Sequence, residues 1–302
     1  MKIKLALDWT PNTNHIGFFI AKELGYYKDN GIKIELLDPI IDNYYLTPAK
    51  KVELGKADLA LCPTESIISF RTKKNKFNMI GIAAIYKEDL SAIAVKNFNI
   101  TSPKKLDNLS YASYNAKYED KIVKKMIIND GGQGNINISY PKKLGIWNTI
   151  LKDEFDSTWI FINWEGIEAE DNGIKLNLFK MSDYKIPYSY SPVIVTSELY
   201  FEKNKKKLKS FLSCSKKGFL FAKNNPTQAI EIFKKFVPKN EKVNLEKSLN
   251  FSSKYFGNSE NWGIMDNVVV DNFLKWLHAE GLESKKFTSK DIISNELLKK
   301  PI

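Results

Sequence analysis

The chain has 302 residues, of which 43% are hydrophobic and 13% aromatic, and its formal net charge is +11. This is enough for about two ordinary domains with a sizeable core, whereas no apolar run approaches the roughly 20 residues of a membrane-spanning helix. The lysines are scattered, and the densest run, KNKKKLK at 203–209, is typical of a solvated helix face rather than of a nucleic-acid-binding protein.

The two cysteines, Cys62 and Cys214, are far apart and have no CxxC partner. They therefore predict neither a zinc site nor a disulfide framework, and we expect both to be small buried side chains. The N-terminus lacks the basic and then uninterrupted apolar pattern of a secretory signal. The sequence as written predicts a cytoplasmic protein, with a periplasmic or cell-surface location as the alternative if the native protein has an export segment.

Short apolar runs alternate with helix-period segments, which is typical of an α/β protein with largely parallel sheets. The strand IKLALDW precedes a helix from about His15 to Leu24, which Gly25 ends. The elements predicted next are the strand IKIELL, a short helix ended by Gly55, the strand Asp58 to Leu61, a helix entered through Pro63, and the strand MIGIAAIY.

A second set of strands and helices begins near residues 91–95. Ser102 is placed to cap a helix in which Pro103 takes the first position. The later elements are a strand and an amphipathic helix in LSYASYNAKYEDKIVKKMIIND, the strands INISY, STWIFINW and PVIVTS, and long helices such as KKLKSFLSCSKKGFLFAKNN and PTQAIEIFKKF. No repeat or low-complexity linker separates the two sets, so we expect two lobes connected by strands.

Polar and aromatic side chains gather where predicted strands end, the place where open α/β sheets bind ligands. The segments are DWTPNTNH (8–15), CPTES (62–66), SYNAKYED (113–120), NWEG (163–166) and the aromatic patch YKIPYSYSP (184–192). Because similar side chains recur in both halves, we predict an aromatic clamp with polar anchors for a flat, polar ring. Structural roles stay open as alternatives: Trp9 covering a sheet edge, His15 stapling a helix, and Thr64 and Ser66 capping one.

Motifs of common catalytic sites are missing from the sequence. It contains no glycine-rich phosphate loop, no HExxH and no GxSxG. GGQG at 131–134 follows a predicted helix and precedes a strand, the reverse of a dinucleotide-binding loop, so it predicts a helix stop. The histidines are His15 and His278, and His278 lies near the end of a predicted helix, where we expect a structural role.

Five segments are distributed along nearly the whole chain: LALDWTPNTNHIGFFIAKELGYYKDNGI, TPAKKVELGKADLALCPTESIIS, WIFINWEGIEAEDNGIKLN, YSPVIVTSE and NWGIMD. They resemble the NMT1/THI5-like family, which includes bacterial pyrimidine-binding proteins of ABC importers and the fungal thiamine pyrimidine synthase. The resemblance implies a type II periplasmic-binding-protein fold, with residues 1–90 and 192–302 in lobe 1, residues 91–191 in lobe 2, and a ligand in the cleft. The crossing strands are expected near Asp89 to Ser91 and near Ser191 to Val193.

The resemblance also implies site roles. Trp9 is expected to stack on a pyrimidine and Asp8 to pair with its amino and ring nitrogen groups. The full set of predicted ligand-binding residues is Asp8, Trp9, Asn14, His15, Thr64 and Ser66 in lobe 1, and Tyr114, Trp164, Glu165 and Tyr188 in lobe 2. No catalytic residue and no metal ligand is predicted.

Departures from the synthase separate two functions. That enzyme holds pyridoxal phosphate on a lysine, consumes one of its histidines and has a cysteine-rich iron motif; aligned through ADLALCPTES, those lysine and histidine positions are Cys62 and Ser66. SYNAKYED stands where the synthase has a glycine-rich phosphate-binding turn. We therefore predict first a non-catalytic binding protein for a small heterocyclic ligand, a thiamine-related pyrimidine, without a cofactor, that delivers to an ABC transporter permease. The alternative is a cytosolic synthase-like enzyme with an altered site, and pyridoxal phosphate is expected only there.

Overall fold

The alternation of strands and helices predicted from the sequence is present in the computed structural model, which describes residues 2–239 and 241–299. The strands are β1 Lys2–Ala6, β2 Lys33–Leu37, β3 Leu59–Cys62, β4 Met79–Ala84, β5 Ser91–Val95, β6 Ser110–Ala112, β7 Asn137–Ser139, β8 Ser157–Phe161, β9 Asn177–Phe179 and β10 Val193–Ser197. The α-helices are α1 Ile16–Glu23, α2 Tyr26–Asp29, α3 Pro48–Glu53, α4 Thr64–Thr72, α5 Glu119–Asn129, α6 Ile146–Leu151, α7 Ile167–Asp171, α8 Glu198–Lys203, α9 Lys205–Asn224, α10 Pro226–Phe233, α11 Leu245–Ser252, α12 Asn267–Ala279 and α13 Ser289–Ile292.

Packing divides the chain into two units. The first unit contains the chain up to Asp89, Ser189–Asp271 and the part from Phe287 onward, and the second unit contains Leu90–Tyr188 and Asn272–Lys286. The lobe limits given above stay a prediction. In the division by packing, the segment Asn272–Lys286 groups with the second unit.

The first unit has a five-stranded sheet in the order β2-β1-β3-β10-β4. β1 pairs in parallel with β2 and β3, whereas β10 runs antiparallel to β3 and β4. The sheet is therefore mixed. β10 lies between β3 and β4 and begins beside the carboxyl end of β3, where Val193 pairs with Cys62. The carboxyl ends of the parallel strands share one edge, and the loops that follow β1, β2, β3 and β4 all start there.

Helices α1 and α9 pack closely in the first unit. A Cβ on Gly218 would collide with the backbone carbonyl oxygen of Gly17, and a Cβ on Gly17 would collide with the ring of Phe219, so both positions need glycine. Phe18 of α1 stacks on Phe211 at 6.2 Å between ring centroids and meets Phe219 edge-on at 5.1 Å. Burying one such ring contributes about 1.5–3 kcal/mol. This packing fixes the start of α1, which directly follows the loop at residues 8–15.

The second unit has a sheet in the order β7-β6-β8-β5-β9. β6 is parallel to β7 and β8, and β5 is antiparallel to β8 and β9. Amphipathic α5 buries one face, and Gly131, with φ 91°, follows its end, which confirms GGQG as a helix stop. The sequence did not predict β9, a strand of three residues.

Ser102 and Pro103 occupy the predicted N-cap and first position, but of a 3-10 turn, Pro103–Leu106. The side chain of Ser102 makes no capping hydrogen bond. The carboxylate of Asp130 takes its place, because its Oδ2 accepts the backbone N–H of Lys104 at 2.8 Å. His278 lies at the end of α12 as predicted, and its Nδ1 donates to the backbone carbonyl of Glu283 at 3.1 Å. None of the helices within the described residues is both long and apolar enough to cross a bilayer.

Candidate ligand-binding site

The loop at residues 8–15 follows β1 and holds its shape through its own side chains. The side-chain oxygen of Asn12 accepts the backbone N–H of Asn14 at 2.8 Å, and the backbone N–H of Asn12 donates to Nδ1 of His15 at 3.3 Å. This is a capping box around the turn Thr13–His15 in which an imidazole takes the place usual for Glu or Gln. The loop thus has internal hydrogen bonds of its own.

His15 aims the carboxylate of Asp8. Because Nδ1 of the imidazole accepts a hydrogen bond, the proton of the neutral ring is on Nε2, which donates to Oδ1 of Asp8 at 2.6 Å. The His15 side chain is fully buried, whereas 13% of the Asp8 side chain is exposed. Among residues 2–239 and 241–299, nothing donates a hydrogen bond to Oδ2 of Asp8. One oxygen is fixed and the other is available to an incoming donor.

Trp9 and Tyr44 form the aromatic part of the site. Their ring centroids are 5.9 Å apart at an interplanar angle of 54°. Tyr44 has φ 57° and follows Asn43 with φ 53°, which puts a bulky residue in the left-handed region. Two interactions hold this segment. The backbone N–H of Tyr44 donates to the carbonyl of Pro39 at 2.9 Å, and the ammonium of Lys51 forms an ion pair with Asp42 at 3.0 Å.

Tyr44 is a site residue that the sequence reasoning missed. Burial raises the pKa of its phenol well above the usual value, and the charge of Asp8 and the nearby Cys62 add to the effect, so the hydroxyl stays neutral. The available signal was topological: DNYY follows β2, the parallel neighbour of β1, so its side chains reach the same edge of the sheet.

Cys62 ends β3 beside the first turn of α4. Burial raises the pKa of the Cys62 thiol well above its usual value, with a further rise from Asp8, while a hydrogen bond to the Ser66 side chain opposes them. The thiol therefore stays protonated and is a small neutral group rather than a nucleophile. Cys214 is buried too, which confirms the prediction for both cysteines.

Two predicted ligand residues of the first unit also connect parts of the scaffold. The side-chain oxygen of Asn14 accepts the Tyr86 hydroxyl at 2.7 Å. The hydroxyl and the backbone N–H of Thr64 both donate to the Tyr190 carbonyl, at 2.7 and 3.0 Å. The Thr64 hydroxyl therefore does not cap α4, the structural alternative named for it, because it donates to a carbonyl and α4 has no side-chain cap. Ligand contacts for Asn14 and Thr64 stay a prediction.

In the second unit, Tyr114 follows β6, and Trp164 and Glu165 follow β8. Since β6 and β8 pair in parallel, these residues lie at the same edge of their sheet. Trp164 and Glu165 belong to the π-helical turn Ile162–Gly166, and Oε2 of Glu165 accepts the backbone N–H of Phe161 at 3.0 Å. Trp164 is 2% exposed, while Tyr114 is half-buried.

Tyr188 lies in an aromatic cluster of the second unit. Its ring centroid is 5.2 Å from that of Trp159 and 5.2 Å from that of Phe273. The residue is half-buried. Its ligand role stays a prediction, as do those of Tyr114, Trp164 and Glu165.

Glu119 organises the loop at residues 113–120, a role that the sequence reasoning did not foresee. Its Oε1 accepts the Tyr111 hydroxyl at 2.8 Å and the Tyr114 N–H at 3.0 Å, and its Oε2 accepts the Ala116 N–H at 3.1 Å. Burial raises the pKa of Glu119, and these donors oppose the rise. The sequence does show an acidic residue in the first turn of α5. It does not show the directions of the backbone N–H groups in the preceding loop.

The two mixed sheets with their helices define a class, the α/β proteins of the type II periplasmic-binding-protein fold. The ligand-binding component of an ABC-type import system from Staphylococcus aureus, solved with zinc bound, is similar with a TM-score of 0.71 and 14% identity, over 99% of this chain and 98% of that one. Within the described residues, no three His, Cys, Asp or Glu side chains are grouped to hold a metal ion.

The family model described as NMT1/THI5 like matches residues 12–229, and the chain belongs to this family. The formylaminopyrimidine-binding protein of Halalkalibacterium halodurans is 22% identical over 308 residues, which cover 97% of this chain and 89% of the relative. The 4-amino-5-hydroxymethyl-2-methylpyrimidine phosphate synthase of Legionella pneumophila is 21% identical over 234 residues, which cover 76% of this chain and 72% of the relative. The relatives thus include a binding protein and an enzyme.

Pyridoxal phosphate does not fit the place that the synthase resemblance assigns to it. A Schiff base requires an amine, and the aligned position holds the buried thiol of Cys62, hydrogen-bonded to the side chain of Ser66. Neither side chain supplies the amine or the imidazole of the synthase.

Proposed function

We propose that this protein is a non-catalytic binding protein for a thiamine-related pyrimidine. The observation that carries the proposal is the half-paired carboxylate of Asp8, held by His15 beside the rings of Trp9 and Tyr44. An aminopyrimidine is flat and presents N–H donors in its ring plane. Oδ2 of Asp8 accepts such a donor, and a hydrogen bond to a charged group contributes about 1.5–3 kcal/mol.

The aromatic side chains supply the second part of the affinity. Stacking of a base on an aromatic ring contributes about 1–3 kcal/mol. Trp9 is half-buried, and its ring lies beside that of Tyr44. Together, a carboxylate and an aromatic surface select flat amino-heterocycles over aliphatic ligands of the same size.

The absence of catalysis and of a cofactor belongs to the same proposal. The raised pKa of Cys62 keeps its thiol protonated. The imidazole of His15 is hydrogen-bonded directly to Asp8, so it does not activate a serine or cysteine through that nitrogen. Delivery to an ABC transporter permease, from the periplasm or cell surface, is supported by the binding-protein name of the Halalkalibacterium relative and by the import-system neighbour. The synthase-like alternative becomes an outcome of the test.

The test is thermal unfolding of the purified chain with hydroxymethylpyrimidine, its formylamino relative, thiamine or pyridoxal phosphate. A ligand at about 100 times its Kd stabilises the folded state by about 2.7 kcal/mol, which raises the Tm by a few degrees. We expect this shift with a pyrimidine. No shift with any pyrimidine would contradict the proposal, and a shift with pyridoxal phosphate together with a Schiff-base absorbance band would favour the enzyme.

A further inference from the structure

Helix α9, Lys205–Asn224, is strongly basic. Its 20 residues include seven lysines and no acidic residue. The formal net charge of the whole chain is +11, so this one helix holds a large share of the excess positive charge. The candidate ligand-binding site described above uses none of these lysines, so their concentration on one element needs a separate explanation.

The two sides of α9 differ in burial. Its inner side packs in the first unit through residues that are buried: Leu208, Phe211, Leu212, Cys214, Ser215, Gly218, Phe219 and Ala222. Exposed residues recur every three or four positions along the helix, which places them on one face: Lys206, Lys209, Ser213 and Lys217. We call these four residues the basic face. From Lys206 to Lys217 it extends about 16 Å along the helix axis.

No carboxylate forms an ion pair with a lysine of the basic face among residues 2–239 and 241–299. Lys205, at the start of the helix, pairs with Glu202 and Glu296, each at 3.0 Å. Lys216 and Lys223, on the same helix, donate to backbone carbonyls instead. The positive charge of the basic face is therefore not neutralised within the described part of the chain.

The composition of the basic face favours a lipid surface over a folded protein as its partner. The buried core of a protein interface is enriched in aromatic residues, Met and Arg and is depleted of Lys. The basic face has lysines and a serine. A lysine ammonium is a strongly hydrated point charge on a flexible stem. It is attracted to a surface of anionic head groups without a fixed geometry, and clusters of basic residues bind anionic bilayers in this way.

We propose that the basic face of α9 holds the protein against the surface of an anionic lipid bilayer. The attraction is electrostatic, so no part of the chain has to enter the hydrocarbon layer. Each lysine near such a surface contributes about fivefold to binding. The inference goes beyond pyrimidine binding and does not depend on it.

The experiment is sedimentation of the full chain with lipid vesicles, in buffer without a pyrimidine. Vesicles of phosphatidylglycerol and phosphatidylcholine in equal parts should bind the protein at about 0.1 M salt, and vesicles of phosphatidylcholine alone should not. At about 1 M salt the bound fraction should fall, because the screening length decreases from about 10 Å to about 3 Å.

Lysine substitutions test whether the basic face makes the contact. The variant Lys206→Gln/Lys209→Gln/Lys217→Gln should bind the anionic vesicles about 10-fold more weakly or worse. Arginine at the same three positions keeps the charge and should keep the binding.

The matched control is Lys56→Gln/Lys74→Gln/Lys76→Gln. It removes the same charge from three exposed lysines of the first unit that lie outside α9. Because charges far from the bilayer are screened, vesicle binding should change by less than about twofold.

Three results would overturn the inference: a wild type that does not bind anionic vesicles, an α9 variant that binds them like the wild type, and equal losses in the α9 variant and the control. Equal losses would mean that net charge alone explains the binding. Binding to duplex DNA without binding to vesicles would overturn it in favour of a nucleic acid. Pyrimidine affinity should be the same in all these proteins, and its absence would contradict the proposed function while leaving the vesicle result standing.

Discussion

Asp8 in the first unit and Glu119 in the second are both carboxylates in loops that follow a strand, yet they are used differently. Asp8 receives one hydrogen bond, from His15, and keeps an oxygen for another donor. Glu119 receives three, shared over both oxygens. Under the proposed function, the number of donors already on a carboxylate distinguishes a ligand anchor from a loop anchor.

The largest effect is expected at Asp8. Asp8→Ala removes a charged acceptor, so pyrimidine affinity should fall by about 100-fold, equivalent to about 2.7 kcal/mol. The Tm of the ligand-free protein should fall too, because the buried Nε2 of His15 loses its acceptor. Calorimetric titration measures the affinity. Asp58→Ala is the control, because Asp58 Oδ2 accepts the Lys4 N–H at 2.8 Å and that variant should lose stability but retain affinity. Equal affinity losses in both variants would show that Asp8 is not a special anchor.

Trp9 should have the next largest effect. Trp9→Ala removes the stacking surface, which corresponds to a loss of about 10-fold to 100-fold in affinity, while Trp9→Phe should retain most of the binding. Ligand-induced change in Tm measures both. Unchanged stabilisation of Trp9→Ala by the pyrimidine would remove Trp9 from the site.

Glu283 is, like Glu119, a carboxylate that accepts several hydrogen bonds, and it tests whether such a carboxylate stabilises the fold. It accepts from the Lys117 ammonium at 2.7 Å, the Tyr118 hydroxyl at 2.6 Å and the Lys285 N–H at 3.1 Å. Burial alone raises the pKa of Glu283, but these donors outweigh it and lower the pKa from 4.5 to about 2. The folded state therefore favours the ionised form.

Because the folded pKa is below the unfolded one, the contribution of Glu283 is complete above about pH 5 and is lost as the pH falls towards 2. Glu283→Gln should lower the free energy of unfolding at pH 7 by about 1–3 kcal/mol. The difference from the wild type should shrink in acid. Urea unfolding at pH 7, 4 and 3 measures it, and a gap that is the same at all three pH values would refute this assignment.

The smallest effect is expected for the hydroxyl of Tyr44. Tyr44→Phe keeps the ring beside Trp9 and should change pyrimidine affinity by less than about threefold, whereas Tyr44→Ala should weaken it by about 2-fold to 10-fold. The pair separates ring from hydroxyl in the same titration. A larger loss in Tyr44→Phe than expected would assign the phenol a hydrogen bond to the ligand.

The fold followed from local patterns that the sequence displays directly. Gly25 and Gly55 end their helices with φ 78° and 66°, as their positions predicted, and β3 and β4 are buried along their whole length, as their apolar runs implied. Short β9 lacks such a pattern. A three-residue strand is fixed by its partner β5 rather than by its own composition.

The site was less accessible from sequence for a different reason. Asp8, Trp9 and His15 follow one strand and could be grouped by position. Tyr44 depends on two left-handed residues and on the register of a neighbouring strand, and the role of Glu119 depends on where backbone N–H groups point. Every residue except proline has a backbone N–H group, so the amino-acid sequence does not show which of these groups donates to a given side chain.

The glycine contact between α1 and α9 has a consequence for mapping function by mutation. Gly17 is two residues from His15, and its carbonyl lies against Gly218 on a helix more than 200 positions away in the chain. Any side chain at Gly218 must push α1 away and tilt the imidazole that aims Asp8. A random library screened for lost binding should therefore return both glycines among its hits. The inactivating positions will include the contact between α1 and α9 as well as the loop at residues 8–15.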